Sequence, residues 1–302
     1  MKRLKSKTLK KEERRLSSKN MSKLSIHKLT ICMVFQILFV FFITAEVFAA
    51  GEQKRVKKHH WSFAGIFGYY DDAQLQRGFQ VYREVCSSCH SMNYVYYRNL
   101  AEEGGPGFTV EEVKVIASED TIMDGPDEYG EMFERAGKPS DIFVSPYANQ
   151  NEARASNGGA YPPDFSVLAK ARSTLRGFPW WFIDLFTGYQ EQGVDYIYAL
   201  LNGYSEPPTE FNLQSGMHYN EYYPGKQIGM GQPLYDESVE YADGTIASVE
   251  QMAEDVSAFM MWAAEPKLEM RKRMGFKVAI FLFVLAGLLY YSKKKIWARI
   301  EH

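Results

Sequence analysis

Residues 84–92, "EVCSSCHSM", place two thiols three positions apart with an imidazole directly after the second. Cysteine and histidine in this pattern can serve as a redox dithiol, half of a zinc site, a small disulfide loop or a covalent anchor. Zinc needs four ligands, usually from paired cysteines and histidines, yet Cys86 and Cys89 are accompanied only by Cys32. A dithiol oxidoreductase motif opens a helix beside a strand, whereas here a helical pattern precedes the motif. A Cys86–Cys89 disulfide closes too short a loop to stabilise much. The remaining chemistry is covalent c-type haem, with thioether bonds from Cys86 and Cys89 and His90 on the iron.

Haem iron has a second axial position. A neutral thioether is soft and favours Fe(II), raising the potential, while a second histidine lowers it. Candidate methionines are Met92, Met123, Met132, Met217, Met230, Met252, Met260 and Met261. Met252, Met260 and Met261 lie in a strongly helical stretch and read as core filling. Met92 is too close to His90 to reach the opposite face of a haem. Met230 sits in "KQIGMGQPLY", where flanking glycines and Pro233 predict a loop that can approach a cofactor closely. His218 competes with it, and an open position is a third possibility; the residues alone leave all three standing.

The elements around these residues are mostly helical. "DDAQLQRGFQVYREVC" predicts a helix capped by Asp71 or Asp72, with Leu75, Phe79, Tyr82 and Cys86 at helical spacing. "SVEQMAEDVSAFMMWAAEP" predicts a second, with Ser248 and Gln251 spaced as a capping box. Its stripe is Val249, Met252, Val256, Phe259 and Ala263, and Pro266 stops it. Residues 101–245 between them are rich in Gly-Pro, Pro-Pro and Gly-Gly punctuation. "WFIDLFTGY" and "DYIYALLNGY" read as two short helix–turn units, and no strand pattern dominates.

Two apolar runs set the topology. Residues 31–45 follow Lys23 and Lys28 and precede "EVFAAG", the layout of a secretory signal. Val47 and Ala49 suit the small positions before a cleavage ahead of Ala50, which gives residues 1–49 as the signal and removes Cys32. Met21 opens a more ordinary signal and is an alternative start. Residues 274–292 contain nineteen mostly apolar residues, roughly 28 Å of helix and about one hydrocarbon thickness. Lys277 can snorkel at one end, and Tyr290, Tyr291 and Lys293–Lys295 bracket the other. The layout is then an exported domain over 50–270, an anchor over 271–292 and a cytoplasmic tail over 293–302, in keeping with the positive-inside rule.

Charge is segregated along the chain. Residues 1–50 carry 11 basic against three acidic groups and residues 271–302 carry eight against one. Of the chain's 35 and 37, residues 51–270 therefore keep 16 basic and 33 acidic, a net of −17. This middle offers no basic surface for nucleic acid; it either attracts a cationic partner or keeps the domain soluble.

At this point the chain resembles the cytochrome c1 family, the membrane-anchored haem subunits of quinol–cytochrome c reductase (the cytochrome bc1 complex). The matching stretches are "HWSFAGIFGYYDDAQLQRGFQVYREVCSSCHSM", "NGGAYPPDFSVLAKAR", "GYSEPP", "YNEYYPGKQIGMGQPLYDESVEYADG" and "DVSAFMMWAAEPKLEMRKRMGFK". The resemblance implies a mainly α, class I c-type cytochrome core with long loop insertions and one C-terminal transmembrane helix. It implies Met230 as second axial ligand and Arg172, in "KAR", against a haem propionate. It also implies one-electron transfer from a Rieske iron–sulfur protein to a soluble cationic cytochrome c in a respiratory chain. A cytochrome b subunit and membrane lipid would be neighbours, at a bacterial-type inner membrane with the haem domain periplasmic. On its own the chain would catalyse no complete reaction. Residues 173–193, with Trp180 and Trp181, are extra relative to the shortest family pattern. A haem enzyme or gas sensor with an open iron is the rival class, and nothing around "QIGMGQP" resembles a distal acid–base pair.

Overall fold

The computed structural model describes residues 54, 56–173 and 192–298. Residues 1–51 lie outside the described residues, and everything below concerns the unit that follows them. The signal segment, "WFIDLFTGY", Trp180 and Trp181 lie outside the described residues, as does most of the 173–193 insertion.

The first helix, α1, spans Asp72–Glu84, and Asp71 caps it by accepting from the Gln74 amide. It is followed by α2 (Val110–Ser118), the antiparallel pair β1 (Thr121–Asp124) and β2 (Phe133–Ala136), and α3 (Gln150–Ser156). Then come α4 (Leu168–Ala171), α5 (Gln192–Leu201) and the two-residue pair β3 (His218–Tyr219) and β4 (Gln227–Ile228). The chain ends in α6 (Val249–Ala264) and α7 (Leu268–Trp297). The described residues are thus mainly helical with loops and two small hairpins.

Packing of α1 against α6 makes the centre of the domain, and α4 and α5 lean on the other side of α6. The predicted stripe of α1 is buried at Leu75, Phe79 and Tyr82, while Cys86 falls beyond the helix in a separate 3-10 turn. The two helices touch backbone to backbone at Gly78, where a Cβ would sit 2.1 Å from the carbonyl oxygen of Asp255. Beside it Arg77 forks onto the fully buried Asp255 carboxylate, with Nε 3.0 Å from Oδ2 and Nη2 3.2 Å from Oδ1. The paired geometry is what lets a charge sit between the helices without stranding it. Rings of Phe79, Tyr82, Phe143 and Phe259 interlock around this crossing. Met252, Met260 and Met261 are buried in the same core, in keeping with their reading as core filling; Met260 and Met261 lie outside the predicted stripe.

Ser248 caps α6 by accepting from the Gln251 amide. Only that half of the predicted capping box is present, because the Gln251 side chain turns to Asp255 (3.1 Å) instead. Two residues after Ala264 Pro266 ends the helix, and α7 starts at Leu268. Among the described residues α7 is the one helix long and apolar enough to cross a membrane, and none of its apolar window is buried in the molecule. The core helix of a soluble domain would be mostly buried, and this one is not.

Candidate functional site

After α1 the chain tightens into a single 3-10 turn over Cys86–Ser88, closed by Cys89 N to Cys86 O (3.1 Å) and His90 N to Cys86 O (2.9 Å). In a 3-10 turn residues three apart eclipse, so the turn brings Cys86 and Cys89 to one side. Both are half-buried free thiols. Burial, and then Cys89, pushes the Cys86 thiol up to about 12. Redox dithiols and zinc ligands need a stabilised thiolate, the opposite of this environment. Among the described residues no group of three or more His, Cys, Asp or Glu side chains is arranged to hold a metal.

His90 is buried and its ring is fixed on two sides. Its Nδ1 lies 2.8 Å from the carbonyl oxygen of Pro163. A carbonyl only accepts, so Nδ1 carries the proton and Nε2 keeps its lone pair. The Phe165 ring stacks on the imidazole at 4.1 Å between centroids and 22° between planes. Burial lowers the imidazole pKa, against the opposing pull of Pro163 and Asp164, and so favours the neutral ring. A neutral imidazole with one nitrogen pinned and the other free is what an iron or other metal ligand requires.

The loop supplying Pro163 is held by Asp164. Its carboxylate accepts from Ser91 Oγ (2.8 Å), Asn93 N (2.9 Å) and Ser166 N (2.8 Å), while Phe165 N donates to Ser91 O (2.8 Å). Burial alone would raise the Asp164 pKa, but hydrogen bonds from Ser166, Asn93 and Ser91 hold it below the usual carboxylate range. Residues 91–93 and 163–166 are therefore stitched into one cradle around the imidazole. Composition and spacing gave Asp164, Pro163 and Phe165 no role. The legible signal was the Asp-x-Ser turn, in which Asp164 accepts from the amide two residues on.

Met230 is half-buried in the loop after β4, and its carbonyl accepts from Tyr204 Oη at 3.1 Å. Tyr204 bridges to Asn220, whose fully buried side chain donates to Leu200 O at 2.8 Å. The flanking glycines have room for a side chain: a Cβ at Gly229 would lie 3.9 Å from Met217 Sδ and 4.0 Å from Ala160 Cβ, and one at Gly231 would lie 3.5 Å from His218 Nε2, all ordinary van der Waals contact. Ala160 stands three residues before Pro163, so the segment that bonds the His90 ring also passes near the Met230 loop. His218 is exposed, which leaves its ring solvated. Arg172 is an exposed residue capping the C-terminal end of α4, where its charge opposes the rise that burial causes in the phenol of Tyr196.

These features suit one class, a helical c-type haem protein with a C-terminal helix long and apolar enough to cross a membrane. Residues 61–300 match the model of the Cytochrome C1 family, and the chain belongs to that family. Over 239 residues it is 54% identical to cytochrome b/c1 of Bradyrhizobium diazoefficiens, covering 79% of this chain and 35% of that longer protein. Cytochrome c1 of Blastochloris viridis is 48% identical over 80% of this chain and 86% of its own. An Arabidopsis thaliana relative named "Cytochrome c1 1, heme protein, mitochondrial" is 46% identical over 81% and 73% respectively. The chain is accordingly a membrane-anchored, c-type haem protein of electron transport.

Proposed function

We propose that this chain is the haem subunit of a bacterial quinol–cytochrome c reductase, taking one electron from a Rieske iron–sulfur protein and passing it to a soluble cationic cytochrome c. The observation that carries this is the His90 ring, neutral, buried, and left with Nε2 alone to bind iron. Bound haem supplies a one-electron Fe(III)/Fe(II) couple. Cys86 and Cys89 would hold it through thioethers, for which two free thiols on one side of a turn are suited. His90 and Met230 would hold the iron, and Arg172 would pair with a haem carboxylate. A donor set of one imidazole and one thioether keeps its ligands in both oxidation states and favours the reduced one.

The domain over residues 50–270 lies on the periplasmic side, behind a signal over 1–49. The anchor over 271–292 lies beside a cytochrome b subunit, and residues 293–302 are cytoplasmic. With that orientation the −17 segment between residues 51 and 270 meets the soluble partner's compartment and steers a lysine-rich surface toward it. Stopped-flow reduction of a cationic cytochrome c by the purified complex tests this. Second-order rates should fall steeply as ionic strength rises past the point where the Debye length is about 10 Å. Rates indifferent to salt, or no electron transfer at all, would overturn the proposal.

A further inference from the structure

The chain carries a second apolar surface, outside the candidate haem site and beside the start of α7. Ile66, Phe67 and Tyr69 are 72%, 73% and 64% exposed, three large side chains in four consecutive residues. The flanking Trp61, Phe63 and Tyr70 are buried, so the segment is anchored on both sides. A contiguous exposed patch, unlike a lone exposed residue, marks a contact surface. This one is bolted to α7. The Phe67 ring meets Phe276 edge-on at 5.9 Å between centroids and 68° between planes, and the Lys272 ammonium donates to the carbonyls of Phe63 and Gly68. Gly68 permits the tight fold, since a Cβ there would sit 2.2 Å from the carbonyl oxygen of Ala64.

Position along α7 gives the level of the patch. The apolar run starts at Met274 and Phe276 is two residues further, roughly 3 Å along the axis. Phe67 therefore stands at the edge of the hydrocarbon, while Lys272 and Arg273 stand just outside it, where basic and aromatic side chains anchor at the interface. A cleft of about 690 Å³ opens between the patch and the helix, lined by Phe67, Tyr70, Asp72, Glu269, Arg273 and Phe276. Its rim sets Asp71, Asp72 and Glu269 against Lys272 and Arg273, a mix of both signs that suits zwitterionic headgroups.

We propose that residues 66–69 enter the zwitterionic headgroup layer beside α7, as an interfacial contact that supplements the spanning helix. The contact fixes the tilt of the exported domain against the membrane, because a helix alone allows the domain to swivel while a second point beside it does not. The inference rests on α7 spanning the bilayer and is independent of the haem ligands.

The test uses the full haem-loaded chain in phosphatidylcholine nanodiscs, with a nitrobenzoxadiazole fluorophore on Ile66→Cys. Tyr129→Cys, at an exposed site on the loop between β1 and β2, is the reference, and labelled wild type gives the background. Replacing part of the lipid with one spin-labelled high on its acyl chain should reduce Ile66→Cys emission about twofold, the depth expected of an interfacial segment. Position 129 should not respond, and aqueous iodide should quench it more strongly than position 66. Position 66 overturns the proposal if it ignores the spin-labelled lipid and answers to iodide like position 129. Shielding of position 66 from both quenchers overturns it too, and assigns the patch to a protein neighbour.

Discussion

The hydroxyl of Tyr204 donates to the backbone carbonyl of Met230 across 3.1 Å and 26 residues of sequence. That bond ties the methionine loop to the end of α5, through Asn220 and the carbonyl of Leu200. A glycine-flanked loop has little stiffness of its own, so the tie decides how firmly its sulfur is presented. Tyr204→Phe keeps the ring and removes the donor, at a stability cost of about 1 kcal/mol. The variant's sulfur-to-iron absorption should disappear at lower temperature and lower pH extremes than in wild type. An unchanged band over the whole range would show that the loop is held by other contacts.

Asp164 makes the His90 cradle pH-sensitive in a defined direction. Its folded pKa is depressed, so its contribution is complete above the unfolded value of about 3.9 and is lost as pH falls through the folded one. At neutral pH Asp164→Asn should lower domain stability by about 2 kcal/mol, as expected for hydrogen bonds to a charged acceptor. Denaturant titrations between neutral pH and pH 3 should show the gap closing below about pH 4. A gap independent of pH would assign the loss to shape and not charge.

The α1–α6 crossing tolerates no side chain at position 78. In Gly78→Ala the new methyl would meet the Asp255 carbonyl at 2.1 Å and Phe259 Cβ at 2.7 Å. Overpacking of this kind costs about 1–3 kcal/mol, and the α1 end carrying Cys86 moves with the helix. Thermal unfolding of the haem-loaded protein should show the loss; a wild-type transition would mean the helices can part without cost.

Single thioether attachment is the expected result of Cys86→Ser or Cys89→Ser. Each variant should give a pyridine haemochrome band displaced to longer wavelength, toward that of haem retaining one vinyl group, and Cys86→Ser/Cys89→Ser should release its haem to acidified acetone. A normal band in either single variant would contradict the anchor role of that cysteine.

Local signals in the sequence carried far. Asp71, one of the two candidate caps, and Ser248 cap their helices as expected, and Pro266 ends α6. Spacing was less reliable at a boundary: Cys86 continues the apolar period of α1, yet the chain tightens into a 3-10 turn there, and Gln251 prefers Asp255 to the reciprocal cap. Long-range polar contacts were not legible. His90 and Pro163 are 73 residues apart, and no periodicity couples a histidine to an accepting carbonyl whose place is set by the backbone of another loop. The family resemblance pointed to the stretches holding Pro163 and Tyr204 without saying which atoms meet. The short β1–β2 and β3–β4 pairs were invisible because strands of four and two residues hold too few alternations to register.

The axial pair is the centre of the account, and the oxidised and reduced absorbance spectra of wild type and Met230→Leu test it most directly. Wild type should show the weak near-infrared sulfur-to-iron band when oxidised and should resist carbon monoxide when reduced. Met230→Leu should lose that band, bind carbon monoxide and show a lower midpoint potential. A wild type that binds carbon monoxide readily, or a variant with unchanged spectra, would contradict Met230 as ligand and move His218 or an open position to the front.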